Sequence, residues 1–550
     1  MTEVPDESSS ADIARSSAWM ALGTIVSRIT GFFRLLLIAF TIGTLLDADL
    51  FNNANTIPNA LYILVAGGIF NVVLVPQLVR TMKNDPDGGD AYAQRIITLG
   101  LLVLAVATVI LLLVVPGLVH VVFDQKLFTP GFEQQQESAR LLMWLCMPQV
   151  FFYGAFVLVG QVLNARGRFG PMMWAPIANN IVVIAVLGMY IAVFGVSNGI
   201  DGFSTNQALL LGLGSTAGIA VQTAILIPFL RRAGFVFRPR FDFRGVGLGH
   251  TLRLGFWTLL FILANQVAFV VVQRLGTRGT LDGAESGRDA AGSAVYEIGF
   301  LVSQVPHGVI TVSLATAVIP TLAALAADRR HDRMRVELGR TLRLALAIIA
   351  PLAVAAACLG PAAADAIAYG GIRGNADVIG LTVAAFAPAM VAFTVHYLML
   401  RGFYANEDTR TPFFVQLVIA AVNVTAAFTL TQDVAPGRVA AMLALSYGLA
   451  YVVGAVLSTT LLSRAIGPVI DRETVVFAAR LVVACALAAG AMLGAVAGLD
   501  QLGLGTDSSG EALGVLVVAG LLGALVYVGS ARLLGLDQLS YVVKSVLRRS

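Results

Sequence analysis

Two arginines stand deep in a stretch of sequence that otherwise belongs in a lipid bilayer. In the run from Ser17 to Gly43, Arg28 and Arg34 lie eleven and seventeen residues from the start. At 1.5 Å of rise per residue, both fall well inside a hydrocarbon core of ~30 Å. A guanidinium at the centre of a membrane helix costs roughly 2.5 to 3.5 kcal/mol on insertion scales, so a residue kept there needs a reason. Its planar fork of N–H donors suits a phosphate or pyrophosphate. On a helical wheel Thr24, Ser27, Arg28, Gly31 and Arg34 share a stripe roughly 120° wide, with Gly31 at its middle. Gly31 would leave room for a bulky ligand and could permit a local break that lets the two guanidiniums converge. The competing reading is structural: the arginines snorkel, or pair with Asp47 or Asp49 at the end of the same segment, or with Glu297 at the outer start of the eighth span.

Asp49, Asn55, Asn59, Gln266, Glu297 and Gln304 are further candidates for a hydrated wall, although a polar side chain in a membrane helix more often bonds its neighbours. His396 sits on an apolar stretch and reads as a packed histidine rather than a proton relay. The chain shows no serine–histidine–aspartate set, no metal-spaced histidine cluster, no GxGxxG fingerprint and no P-loop, which disfavours an ATP-driven pump. Cys146, Cys358 and Cys485 lie in apolar stretches without CxxC spacing and read as packing residues.

The elements that position these residues are membrane helices. The chain is 57% hydrophobic and 12% charged, with a mean hydropathy of +0.83, where soluble domains carry about 25% charged residues. Its net charge of +4 is too small and too dispersed for a nucleic-acid surface. Spans are expected near 17–43, 53–80, 93–122, 137–163, 171–195, 205–230, 247–274, 293–326, 337–360, 378–404, 412–431, 438–463, 474–499 and 511–537, about fourteen helices in all. The first is a retained helix rather than a signal peptide, since no small-x-small cleavage site follows its apolar run. Loops on one side, with both termini, hold 25 basic residues against 7 on the other, which predicts both termini in the cytoplasm. The longest loop expected, roughly 275–292, is polar, rich in glycine and too short for a catalytic domain.

An internal repeat organises the spans. Ile57-Pro58-Asn59 and Val75-Pro76-Gln77-Leu78 in the second are echoed by Val305-Pro306-His307 and Ile319-Pro320-Thr321-Leu322 in the eighth. The stretch Asn164 to Pro171, before span five, is echoed by Tyr404 to Pro412, before span eleven. Two parallel halves of six helices follow, with two helices left over; such repeats are a transporter signature, with the substrate held between halves that alternate access.

These residues place the chain close to a known group. Ser27-Arg28-Ile29-Thr30-Gly31-Phe32-Phe33-Arg34, Asp49-Leu50-Phe51 and Ile57-Pro58-Asn59 resemble the opening of the MurJ (MviN) lipid II flippases, of the multidrug and polysaccharide exporter superfamily. Leu163 to Phe169 with Ala175-Pro176 and Asn180, Gln304 to Val309, and Arg401 to Ala405 with Asp408 to Pro412 extend the resemblance over nearly the whole chain. It implies an all-α integral membrane protein of two six-helix bundles plus two C-terminal helices. The expected parts are a cytoplasmic tail at 1–16, bundles at 17–240 and 241–465, two extra helices at 466–540 forming a groove for a lipid tail, and a second cytoplasmic tail at 541–550. The implied activity moves lipid II, an undecaprenyl-pyrophosphate-linked peptidoglycan precursor, to the outer leaflet of the bacterial plasma membrane.

By the same resemblance Arg28 and Arg34 engage the pyrophosphate and sugar head, and Asp49 and Asn59 match further functional polar positions; Ser27, Gly31, Glu297 and Gln304 complete the candidate substrate-binding set. Expected partners are lipid II, the bilayer and other cell-wall synthesis proteins, with no nucleic acid. No cofactor or metal is implied, and the drive is membrane potential, a proton or sodium. The chain departs from the family pattern in carrying Phe300-Leu301 where many members have an acidic–basic pair. It has Tyr62 and Gly67 where many have a basic residue and a glutamate, and Val272 near the place of a proposed sodium-binding aspartate. The alternatives are a flippase for another polyprenyl-linked glycan, a drug exporter, which buried arginines argue against, an intramembrane glycosyltransferase, and a scaffold that recruits cell-wall enzymes.

Overall fold

The computed structural model describes residues 7–64, 89–197, 199–242, 248–287, 289–369, 374–506 and 508–536. Among them no strand occurs, as lipid demands: a backbone group left unpaired there costs several kcal/mol, and a helix pairs its own. In chain order the helices are α1 (Glu7–Ile42), α2 (Leu46–Ile63), α3 (Asp90–Val122), α4 (Glu133–Cys146), α5 (Gln149–Ala165), α6 (Gly170–Phe194), α7 (Thr205–Ala224), α8 (Leu226–Arg232) and α9 (Leu248–Ser286). They continue with α10 (Ser293–Pro306), α11 (Val312–Ala327), α12 (His331–Ala366), α13 (Ala376–Ala385), α14 (Ala387–Ala405), α15 (Arg410–Leu430), α16 (Val439–Ile466), α17 (Arg472–Gln501) and α18 (Ser509–Leu533). Thirteen segments of the described chain are long and apolar enough to cross a membrane. The expected second span begins as α2 and runs into residues 65–88, outside the described part, together with Gly67 and the Val75 to Leu78 motif.

By internal contacts the chain divides into two units, Met1–Gly43 with Leu50–Leu263, and Thr44–Asp49 with Ala264–Ser550. In the first, α1 packs on α6, α3 on α5, and α4 and α5 on α7. Its apolar core gathers Tyr92, Ile96, Phe156, Val157, Leu163, Leu226 and Phe235. In the second, α14 and α15 pack on α16, and α17 and α18 pack on each other and on α12. Phe477, Leu481, Ala488, Met492 and Tyr527 lie in the core they share with Ala347 and Leu359.

One joint in that core follows from a proline. Pro351 lies inside α12 and has no N–H for the carbonyl four residues back, that of Ala347. The Tyr527 hydroxyl of α18 donates to the Ala347 carbonyl at 2.6 Å, in a buried setting. The partner lost within one helix is supplied by another.

The repeated loops end their helices alike. After α5, Gly167 adopts φ +73° and the Arg168 N–H bonds the Leu163 carbonyl at 2.8 Å. After α14, Glu407 adopts φ +57° and the Asp408 N–H bonds the Phe403 carbonyl at 3.0 Å. Both are left-handed caps with the bond from the residue after the turn back to the last helical turn. The second places a side chain where glycine is the natural choice.

The expected loop at 275–292 is mostly helix, because α9 continues to Ser286. Thr277, Thr280 and Leu281 in that extension are buried. Its polar, small-residue composition signals close packing of helix on protein rather than exposure to water.

Candidate functional site

The candidate residues fall in both units, and each group has its own surroundings. In the first unit α1 runs unbroken through Gly31, so the local break that this glycine could permit is not made. A Cβ at Gly31 would meet Asn180 Nδ2 at 3.6 Å, ordinary contact. The space beside Gly31 is therefore bounded by α6. The Asn180 amide donates to Thr30 Oγ1 at 2.9 Å and to the Ser27 carbonyl at 3.2 Å, so Ser27 serves the α1–α6 joint through its backbone.

Arg28 is exposed and Arg34 half-buried. Among the described residues neither guanidinium forms an ion pair, and Arg34 Nε is enclosed without a hydrogen-bond partner. The phenol of Tyr153 on α5 is the electrostatic neighbour of Arg34, and the Tyr62 ring of α2 lies 4.7 Å from that of Tyr153. Nearby on the same two helices, Gln149 Nε2 donates to Asn55 Oδ1 at 2.9 Å. Asn59 is exposed one residue beyond Pro58. Among the described residues the first unit thus presents a cation with open donors, flanked by phenols and without a carboxylate paired to it. Such an arrangement has the donors and the charge that an anion requires.

In the second unit Asp49 is wholly buried. Its carboxylate accepts from Thr280 Oγ1 at 2.8 Å, from the Ser293 N–H at 3.2 Å and from the Ala294 N–H at 2.6 Å. Ser293 and Ala294 open α10, whose first N–H groups have no partner within the helix. Asp49 caps that helix from a distant part of the chain, with its charge at the favourable end of the dipole. Gly292 makes room for it, since a Cβ there would lie 2.2 Å from Asp49 Oδ2. Glu297 on α10 accepts from Gln273 Nε2 on α9. Gln304 is half-buried one turn before the π turn His307–Thr311.

Where many family members carry an acidic–basic pair, Phe300 packs among Tyr296, Phe386 and Tyr447, with centroids 5.5 to 6.2 Å away. His396 is buried, with Nδ1 3.3 Å from Ser458 Oγ, the packed setting expected for it. Among the described residues no three of His, Cys, Asp or Glu are grouped to hold a metal ion.

The model of the family described as Lipid II flippase MurJ matches residues 38–505. This chain belongs to that family. A probable lipid II flippase MurJ of Haemophilus influenzae is 28% identical over 420 residues, 73% of this chain and 77% of the relative. One of Vibrio cholerae is 24% identical over 505 residues, 88% and 89% of the two chains. A solved structure of lipid II flippase MurJ, in an inward closed conformation, matches with a TM-score of 0.70 at 17% identity, over 94% of this chain and 99% of the other. An inward-facing MATE family multidrug transporter matches at 0.61 and 14%, over 81% and 96%. The two structures speak for the fold, a multi-pass helical membrane protein of the MurJ and MATE type. The MurJ family match opens past Arg28 and Arg34, so the case for these two residues rests on their own geometry.

Of the candidate set, Ser27, Arg28, Gly31 and Arg34 lie on α1 and Asn59 on α2. Asp49 and Glu297 are held in side-chain and backbone bonds of the second unit. Tyr153 was not signalled beforehand, because one phenol after Phe151 and Phe152 looks like any aromatic run.

Proposed function

We propose that this MurJ-family chain is a transporter that carries lipid II from the cytoplasmic to the outer leaflet of the bacterial plasma membrane by alternating access, with Arg34 and Arg28 holding the pyrophosphate. The observation that carries the residue assignment is Arg34: a guanidinium within a membrane-spanning helix, beside Tyr153, with an enclosed Nε lacking any hydrogen-bond partner among the described residues. A diphosphate ester supplies both the acceptors and the countercharge that this group lacks. Basic loops gathered on one side support cytoplasmic termini.

The test is complementation of a strain depleted of its own lipid II flippase, with leaflet-specific detection of lipid II. The wild-type chain restores outward movement, and Arg34→Ala and Arg28→Ala do not. Arg34→Lys restores it in part, since an ammonium keeps the charge and loses the fork. Intact movement in both alanine variants would remove the proposed site. The aromatic surroundings of Phe300 favour a second reading, a scaffold that recruits other cell-wall synthesis proteins. A scaffold would restore growth only where another flippase is present.

A further inference from the structure

The ends of α17 and α18 meet in a cavity of about 470 Å³, lined by Arg472, Glu473, Val476, Phe477, Arg480, Gly535 and Leu536. Arg472, Val476 and Arg480 are spaced by four residues and so share one face of α17. The arginines stand roughly 12 Å apart along its axis.

Two acids flank Arg472, one of them, Glu473, in the cavity wall, and both are paired with a third arginine. Arg343 reaches from α12 with a side chain only 9% exposed. Its Nη1 lies 3.6 Å from Asp471 Oδ1, and its Nη2 3.1 Å from Glu473 Oε1. Asp471 also accepts from the Thr474 N–H and hydroxyl at 2.8 Å each. Arg472 and Arg480 therefore have no acidic partner among the described residues. Among the described residues Arg480 Nη1 donates to the Gly535 carbonyl at 3.3 Å, which leaves most of that fork open.

The setting tells which anion fits. Val475, Val476, Val482 and Val483 are 41% to 67% exposed on a helix long and apolar enough to cross the membrane. The arginine pair thus sits where such a helix enters lipid, at the end that the basic-loop bias predicts to be cytoplasmic. Basic pockets between membrane helices on that side suit anionic headgroups. We propose that Arg472 and Arg480 bind the phosphate of an anionic phospholipid of the surrounding bilayer, whose acyl chains run along the valine flank. The buried Arg343 leaves the pair free for an anion by taking up the charge of Asp471 and of Glu473, which stands in the cavity wall.

The experiment titrates the full-length protein in detergent micelles with phosphatidylglycerol or phosphatidylcholine and counts retained lipids by native mass spectrometry. The wild type retains one phosphatidylglycerol molecule with preference over phosphatidylcholine. Each of Arg472→Gln and Arg480→Gln weakens that retention about fivefold, and the double variant abolishes the preference. Both arginines are exposed, so the variants keep the fold, which the melting temperature checks. Arg343→Met, which frees both acids to turn to the arginines, lowers retention although the arginines remain; if this variant fails to fold, the double variant still decides. Undiminished preference in the double variant overturns the proposal. Displacement of the lipid by millimolar inorganic phosphate also overturns it, because the site would then serve the free ion. Equal retention of both lipids by the wild type does the same, because the contact would then be apolar alone.

Discussion

Arg34→Met distinguishes a residue kept for function from one kept for stability. Its Nε is enclosed with no hydrogen-bond partner among the described residues, and a buried donor left unmade costs about 1–3 kcal/mol. The insertion cost of the charge, roughly 2.5–3.5 kcal/mol at a helix centre, counts much of the same desolvation and is not added to it. Methionine replaces the apolar stem with a chain of similar reach, so little packing is lost. The substitution is therefore expected to stabilise the protein by about 1–3 kcal/mol while ending lipid II translocation. The assay pairs thermal or denaturant unfolding of purified protein with leaflet-specific detection of lipid II in cells. Arg28→Met, at an exposed site, should move stability by less than about 1 kcal/mol. A fall in stability for Arg34→Met would show that the guanidinium holds the fold together, and undisturbed translocation would show that it does not touch the substrate. Either result refutes the assignment.

Three further outcomes follow from named contacts. Asp49→Ala strips the acceptor from Thr280, Ser293 and Ala294 and should cost about 3 kcal/mol or more. Hydrogen exchange at the Ser293 and Ala294 amides should accelerate in step, and unchanged exchange would contradict the cap. Glu407→Gly relieves a side chain at φ +57° and should stabilise by about 1 kcal/mol, read as a raised melting temperature. The Thr474 N–H, its hydroxyl and Arg343 hold the Asp471 carboxyl below its ordinary value of 3.8. The stability this adds is complete above the ordinary value and is lost as pH falls through the lower, folded one. Melting temperature should therefore drop less steeply below about pH 4 in Asp471→Asn than in the wild type; parallel curves would remove the linkage.

Much of the architecture was legible because membrane helices announce themselves by length and apolarity, and because an unpaired arginine in such a helix is conspicuous. The loop echo between Gly167 and Glu407 was legible as sequence, and the backbone there has the same left-handed cap. What stayed hidden depends on pairing across the chain. Asp49 reads as a free acid beside a span until Ser293 and Ala294 are brought to it from more than two hundred residues away. The stretch 275–292 reads as a loop because its glycines and threonines lack an apolar period, yet those small residues let α9 pack closely. Asp471 and Glu473 stand on either side of Arg472 in the sequence, and only the fold brings Arg343 from α12 to pair with both.

The bond from Tyr527 to the Ala347 carbonyl also constrains the order in which this chain can change. While Pro351 is present, replacing Tyr527 with phenylalanine leaves a carbonyl unpaired in a water-free interior, a loss of about 1–3 kcal/mol. Once Pro351 has become alanine, the helix pairs that carbonyl itself and the hydroxyl is spare. The same two substitutions are therefore costly in one order and nearly silent in the other, and their energies should not add in a double-mutant cycle. Descendants of this sequence that lose the tyrosine are expected to have lost the proline first.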